Sequence, residues 1–437
     1  MEVKSRRPFS NLKSWKWQNV ILLALMTFYL TNFGFRVANY RFPAYGQDYL
    51  AFWSAGKVAD KEGYSKIYEL QAMRTVEGQV LRDLGVIRQV NDPSFMTLPA
   101  LYLPVFLVPF QILSQFPIQT SLVIWWVFNF LLLTGYLFYF TKTRTATLHN
   151  DKDWIFLVLL AMLSYPVFDN FLEGQINVFL LIFVGEFIRN AEKGRPFVSG
   201  LWLAGLLLKP QLLIIVVPLM LILRYWKVVF GFLACSFFLL ATSWALSGTE
   251  GITGFINLLM RAGTGAATSS PEAMINWRMV GINLNNWTHS SIGWVITALG
   301  MVITLVAVGS LTKRKPDFGS RGWLMVMVGV FSATLAFTWH AHNHMAIIMI
   351  PLLLMTIASG MLQKQTLNIW VLGPPLGWLG AGLSSVVLQK IYLLGNVNFL
   401  GFAIAFSTFI VNLAILVTVT RWKCIVSVSM NQIKSQR

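Results

Sequence analysis

The sequence predicts an all-α, polytopic membrane protein, and three observations carry that prediction. First, apolar stretches of roughly 20 residues, the length an α-helix needs to cross bilayer hydrocarbon, recur along the whole chain. Hydrophobic residues make up 56% of the 437 and charged residues only 12%, with a mean hydropathy of +0.62. Second, the apolar runs are continuous rather than alternating with period two, which excludes the strands of an outer-membrane barrel. Third, the cations sit at the ends of these runs. A net charge of +17 gathered there follows the positive-inside tendency rather than forming one nucleic-acid-binding face, so nucleic acid is not an expected partner.

The same cations orient the chain. Lys4, Arg6, Arg7, Lys13 and Lys16 precede the first apolar run, at about 18–35, and place the N-terminus in the cytoplasm. No small-x-small cleavage site follows, so this run reads as an uncleaved first span. Lys313, Arg314, Lys315 and Arg321 mark another inside loop, and Arg421, Lys423, Lys434 and Arg437 place the C-terminus inside.

After the first span comes the longest polar stretch, residues 36–96, expected as an outer loop. It holds seven of the 17 acidic residues: Asp48, Asp60, Glu62, Glu69, Glu77, Asp83 and Asp92. Tyr49, Phe52, Trp53 and Gly56 recur at helical spacing and predict a short interfacial helix. A second amphipathic helix is expected over 65–84, with Ile67, Leu70, Met73, Val80 and Leu84 turned inward. Apolar segments follow at 97–113, 120–140, 154–168 and 176–188. The stretch 198–223, interrupted by Lys209-Pro210, reads as one kinked helix. That choice leaves Arg189, Lys193 and Arg195 outside, against the charge rule. Beyond a span at 228–246 lies a second outer loop, 247–286, then spans at 290–311, 322–338, 345–362, 368–387 and 398–420. The expected architecture is therefore a single integral-membrane domain, 1–437, of about 12 transmembrane helices.

Ionisable groups near the membrane interior point to function. Three of the five histidines fall together, His340, His342 and His344, at the junction of two apolar runs. On one helix His340 and His344 would share a face, whereas in a loop all three converge. Zinc ligation would need a fourth group and supporting carboxylates. No Asp or Glu occurs from Gly322 to the C-terminus, so a carboxylate must come from another segment, and no metal is expected. Alternation places the histidines on the same side as both long loops. Asp48 opens the aromatic helix, either as its cap or as a tunable base. Lys209 lies deep in its apolar stretch, where Pro210 breaks the helix; it either pairs with Glu173 or Glu186 or meets a lipid phosphate. Arg278 is either a phosphate clamp or a solvated arginine. Cys235 and Cys424 form no disulfide or metal pattern.

Five motifs, in order, resemble those of the polytopic GT-C glycosyltransferases, and more narrowly of glycosyltransferase family 87, which includes polyprenol-phosphate-mannose-dependent mannosyltransferases. They are Asp48-Tyr49-Leu50-Ala51-Phe52-Trp53-Ser54-Ala55-Gly56 with Ile67-Tyr68; Leu98-Pro99 to Pro109-Phe110; Glu173-Gly174-Gln175-Ile176-Asn177; Gly200 to Lys209-Pro210; and His340-Ala341-His342-Asn343-His344 with Pro351. Two departures stand out: Leu98-Pro99 replaces a tandem proline, and Met345 replaces an acidic residue that often follows the histidines. The resemblance implies a GT-C-type fold with an outward-facing site under the first loop, and an acidic residue there, Asp48, as base. It implies a polyprenyl-phosphate sugar donor, a lipid or glycan acceptor, inverting transfer and no cofactor. Lys209, Arg278, His340, His342, His344, Gln175 and Asn177 become candidates for binding the donor phosphate or the acceptor.

Two other readings remain open on the residues alone. A transporter or lipid-linked sugar flippase would use the broken helix at Lys209-Pro210, although transporters commonly carry internal repeats and the sequence shows none. A membrane scaffold would explain the hydrophobicity but not the gathering of Asp48, Arg278 and the histidines.

Overall fold

The computed structural model describes residues 10–39, 42–43, 45–90, 96–142, 151–263, 270–313, 315–390 and 399–435. Lys4, Arg6, Arg7, Asp92, Arg314 and Arg437 lie outside these residues, as do the side chains of Lys13, Lys16, Lys423, Cys424 and Lys434.

The described chain is helical and contains no strand. The long first helix, α1 (Ser10–Asn39), leads into α2 (Gln47–Glu62), a 3-10 turn (Tyr64–Tyr68) and α3 (Leu70–Asp83). Then come α4 (Pro104–Leu113), α5 (Ile118–Lys142), α6 (Asp151–Met162), α7 (Tyr165–Leu172), α8 (Asn177–Glu192), α9 (Pro196–Ala204) and α10 (Leu213–Ile222). The second half holds α11 (Trp226–Gly263), α12 (Trp277–Thr288), α13 (Ile292–Thr312), α14 (Arg321–Phe337), α15 (Met349–Ala358), α16 (Lys364–Lys390) and α17 (Phe399–Ser435).

Among the described residues, five helices are long and apolar enough to cross a membrane: those within α1, α5, α11, α13 and α17. Taken as one span, α6 and α7, bent by 41° at their junction, make a sixth. This falls short of the expected twelve for a physical reason. Hydropathy counts apolar residues, whereas proline and backbone turns decide whether a helix is continuous. The apolar stretch at 97–113 yields only α4, because it runs non-helically until Pro104 opens the helix. A ten-residue helix is about 15 Å long, half the hydrocarbon thickness. The stretch at 198–223 is not one kinked helix: α9 and α10 are separated by two 3-10 turns, Gly205–Leu208 and Pro210–Leu212, meeting at Lys209. α15 likewise follows a 3-10 turn, Asn343–Ile348.

The stretch 247–286, expected as a loop, is largely helical. α11 continues to Gly263 past a kink at Gly248 (φ 63°), and α12 follows. Arg189, expected in a loop, lies in the last turn of α8, 3.4 Å from Glu186, with its guanidinium over the Tyr139 ring.

Burial follows the logic of a chain surrounded by lipid. On α13 the large apolar side chains Leu299, Val302, Ile303 and Val306 face outward, while Gly293, Thr297, Gly300 and Thr304 are buried. Small residues let helices approach closely, and threonine satisfies polar groups between them. Here Gly300 lies against the Trp277 ring and Thr304 Oγ1 accepts its Nε1–H at 2.9 Å. Every residue of α15 is buried, so the helix is packed on all sides by others.

The first-loop helices are buried deeper than their aromatic pattern predicts. Tyr49, Phe52 and Trp53 of α2 are enclosed rather than lying on an interface. Gly56 permits this, because a Cβ there would meet the Phe110 carbonyl of α4. Trp53 Nε1 donates to the Phe116 carbonyl at 3.0 Å and Tyr64 Oη to Gln111 Oε1 at 2.8 Å, fastening the layer. In α3, Met73 is buried as expected, but Leu70 is exposed, and Glu77 and Leu81 complete the inner face.

Candidate active site

The corner between α7 and α8 sets the geometry of the site. Its turn needs Gly174 at φ +66°, where a Cβ would lie 2.7 Å from that of Tyr49. Three carbonyls of this corner are held by neighbours: Phe171 by Trp126 Nε1 at 2.6 Å, Glu173 by the Tyr49 N–H at 3.1 Å, and Gly174 by Trp125 Nε1 at 3.0 Å. The Gly46 N–H donates to the Leu172 carbonyl at 2.7 Å. The start of α2 is therefore locked to the corner, which brings Asp48 beside Gln175.

Asp48 is in the first turn of α2, with Gly46 at the cap position, so it does not cap the helix. A carboxylate there is favoured by the helix dipole. Gln175 Nε2 donates to Asp48 Oδ2, and Lys209 Nζ donates to Gln175 Oε1 at 3.1 Å. Lys209 reaches this position because the helix is broken at 209–210. Of the partners expected for it, Glu186 binds Tyr136 and Arg189 instead.

On the other wall, the chain leaves α14 at Thr338 in extended conformation and turns back as the Asn343–Ile348 segment. The histidines are thus in a loop and converge: the His340 and His342 ring centres are 4.8 Å apart, and those of His342 and His344 are 5.6 Å apart. The Ile275 N–H donates to the Ala341 carbonyl at 2.7 Å, and Asn276 Nδ2 to the Thr338 carbonyl at 2.9 Å, which fixes the loop. Asp169 of α7 faces His344.

These walls enclose one cavity of about 590 Å³, lined by Asp48, Gln175, Lys209, His340, His342 and His344. Two expected site residues stand elsewhere. Asn177 is fully buried at the start of α8, where its backbone N–H donates to Asn170 Oδ1 at 3.1 Å. Arg278 is buried behind the histidine loop, over the Trp339 ring at 4.7 Å, with Nη1 3.4 Å from the Trp339 carbonyl. Neither lines the cavity.

The cavity also holds residues that were not expected as substrate-binding groups: Arg36, Tyr102, Asp169 and Glu173, the last expected only as a partner for Lys209. Asp169 directly follows an apolar run, and an acidic residue at that depth is itself a signal. Arg36 is a cation at the expected outer end of the first span, against the charge rule. Three carboxylates, two cations and three histidines thus surround one space. Such a space can bind an anion and accept a proton within a few ångströms. Among the described residues, no three His, Cys, Asp or Glu side chains are placed to hold a metal ion.

Residues 100–338, more than half of the chain, match glycosyltransferase family 87. The match includes Gln175 and Lys209 and stops just before the histidines, while Asp48 precedes it. No curated protein and no solved structure matches the chain. A multi-pass set of apolar helices enclosing a polar cavity, together with this match, identifies the chain as a member of glycosyltransferase family 87, a membrane glycosyltransferase.

Proposed function

We propose that the protein moves a sugar, mannose or another hexose or pentose, from a polyprenyl-phosphate donor to a lipid or glycan acceptor. Transfer takes place at the outer face of the cytoplasmic membrane, with both termini in the cytoplasm. In this GT-C-type arrangement short helices joined across their breaks, such as α9 with α10, together make single crossings, which brings the total toward about twelve.

The observation that carries the reading is the meeting of Asp48, Lys209 and the histidines on one cavity. Asp48 acts as general base. It takes the proton of the acceptor hydroxyl as that oxygen attacks the anomeric carbon. The bond from that carbon to the phosphate oxygen breaks, and polyprenyl phosphate leaves with its electron pair. Direct attack inverts the anomeric configuration. Lys209 supplies positive charge for the departing phosphate, and Gln175, bonded to both, sets the spacing between base and cation. His340, His342 and His344 line the wall that contacts donor phosphate or acceptor. No cofactor enters, because the lipid phosphate is a substrate.

The test is transfer from a synthetic polyprenyl-phosphate sugar by purified protein in detergent. Activity without a sealed vesicle supports a transferase and contradicts a transporter or flippase.

A further inference from the structure

Asp169 is a cavity carboxylate that the reaction above leaves without a role. Its Oδ2 accepts the His344 backbone N–H at 3.1 Å and lies 3.3 Å from the ring Nδ1. Both side chains are little exposed, 14% for Asp169 and 5% for His344. Nδ1 is within ion-pair distance of the carboxylate but off hydrogen-bond alignment, and it makes no hydrogen bond to another group. The pair is a product of the fold, since α7 packs along the Asn343–Ile348 turn and no local sequence pattern joins the two residues.

A carboxylate beside one imidazole nitrogen selects the tautomer. With the proton on Nδ1, toward Asp169, Nε2 keeps its lone pair and is the ring nitrogen left for the cavity. Its surroundings differ from those of Asp48, whose carboxylate is tied through Gln175 to Lys209. The cavity therefore offers His344 Nε2 as a hydrogen-bond acceptor separate from Asp48.

We propose that Asp169 is a positioning residue for sugar transfer: it holds His344 with Nδ1 protonated, so that Nε2 accepts a hydrogen bond from a sugar hydroxyl in the cavity. This rests on the sugar-transfer reading for its substrate, and the pairing itself can be measured without activity. Asp48 takes the proton of the attacking hydroxyl, while His344 fixes a different hydroxyl and so contributes to which sugar is accepted.

The experiment labels histidine rings with 15N in protein reconstituted in lipid. The chain has five histidines, and His344→Gln assigns the signal of interest. The expected wild-type spectrum has His344 protonated on Nδ1 and bare on Nε2. In Asp169→Asn the amide can donate to Nδ1, so the ring moves to the Nε2–H tautomer and kcat/KM falls roughly tenfold, the worth of one lost hydrogen bond. Asp169→Glu keeps the wild-type tautomer and recovers most of the activity. A wild-type ring protonated on Nε2, or an Asp169→Asn ring unchanged from wild type, overturns the proposal. Should Asp169→Asn fail to fold, the wild-type and Asp169→Glu spectra still decide. Absence of transfer by the wild type from a polyprenyl-phosphate sugar would sink the donor reading, and the tautomer would still support or overturn the pairing.

Discussion

Lys209 reaches Asp48 only through Gln175: the ammonium donates to Gln175 Oε1 at 3.1 Å and the amide Nε2 donates to the carboxylate. An amide placed between a base and a cation keeps the two apart. Direct pairing would tie the carboxylate to the charge intended for the phosphate. The amide orients both groups and leaves each able to meet a substrate atom.

Gln175→Leu tests that relationship. It strips a buried ammonium of its partner and leaves Asp48 without an oriented donor. Hydrogen bonds to charged groups are worth about 1.5–3 kcal/mol, so kcat/KM is expected to fall by about ten- to a hundredfold. Steady-state kinetics on purified protein provide the check. A variant within twofold of wild type would remove Gln175 from the account.

Gly174→Ala should damage the same site without removing any chemical group. The φ of +66° is strained for alanine, and the new methyl would crowd Tyr49. Overpacking of this kind costs about 1–3 kcal/mol. Both a lower thermal midpoint in detergent and reduced transfer are expected, because the corner presents Gln175 to Asp48.

Arg278→Lys distinguishes a buried prop from a phosphate clamp. Lysine keeps the charge but loses the planar stack on Trp339 and the geometry of the contact to its carbonyl. Since Arg278 is buried behind the histidine loop, the expected result is a lower thermal midpoint, a desolvated stack on an aromatic ring being worth about 2 kcal/mol, with donor KM within about threefold. A large rise in donor KM at unchanged stability would place the guanidinium on the substrate instead.

Glu77 gives a pH signature. It is fully buried in α3, its Oε2 accepting the Leu98 N–H at 3.0 Å. Burial pushes its carboxyl up to about 8 from the ordinary 4.5, with the Leu98 hydrogen bond pulling the other way. The folded state thus holds this proton more tightly than the unfolded chain. Its contribution to stability is fully present below pH 4.5, declines as pH rises toward 8 and is gone above it. Glu77→Gln, permanently neutral, should show a flatter loss of thermal midpoint between pH 5 and pH 9 than wild type.

Much of the site was legible because polar residues in apolar surroundings stand out. Lys209 and the three histidines stand out in that way, Asp48 and Gln175 follow from the resemblance to the family's motifs, and all of them line the one cavity. The partnership of His344 was not. The residues after Gly322 contain no acid, so a carboxylate had to come from elsewhere, but only the packing of α7 on the 343–348 turn shows that it is Asp169. The aromatic face of α2 was legible too, while its depth was not, since it depends on the Phe110 carbonyl resting against Gly56. Long continuous spans fall short of twelve among the described residues because Pro104, the α6–α7 bend and the break at Lys209-Pro210 interrupt runs that hydropathy reads as continuous.

Removal of the acceptor proton by Asp48 is the step on which transfer in this cavity depends. Its most direct measurement is single-turnover transfer from a synthetic polyprenyl-phosphate sugar by purified wild-type and Asp48→Asn protein, with folding checked by thermal midpoint. The expected result is an unchanged midpoint, retained donor binding and a loss of rate of about a hundredfold or more, the usual worth of a general base. Transfer by Asp48→Asn at the wild-type rate would contradict it.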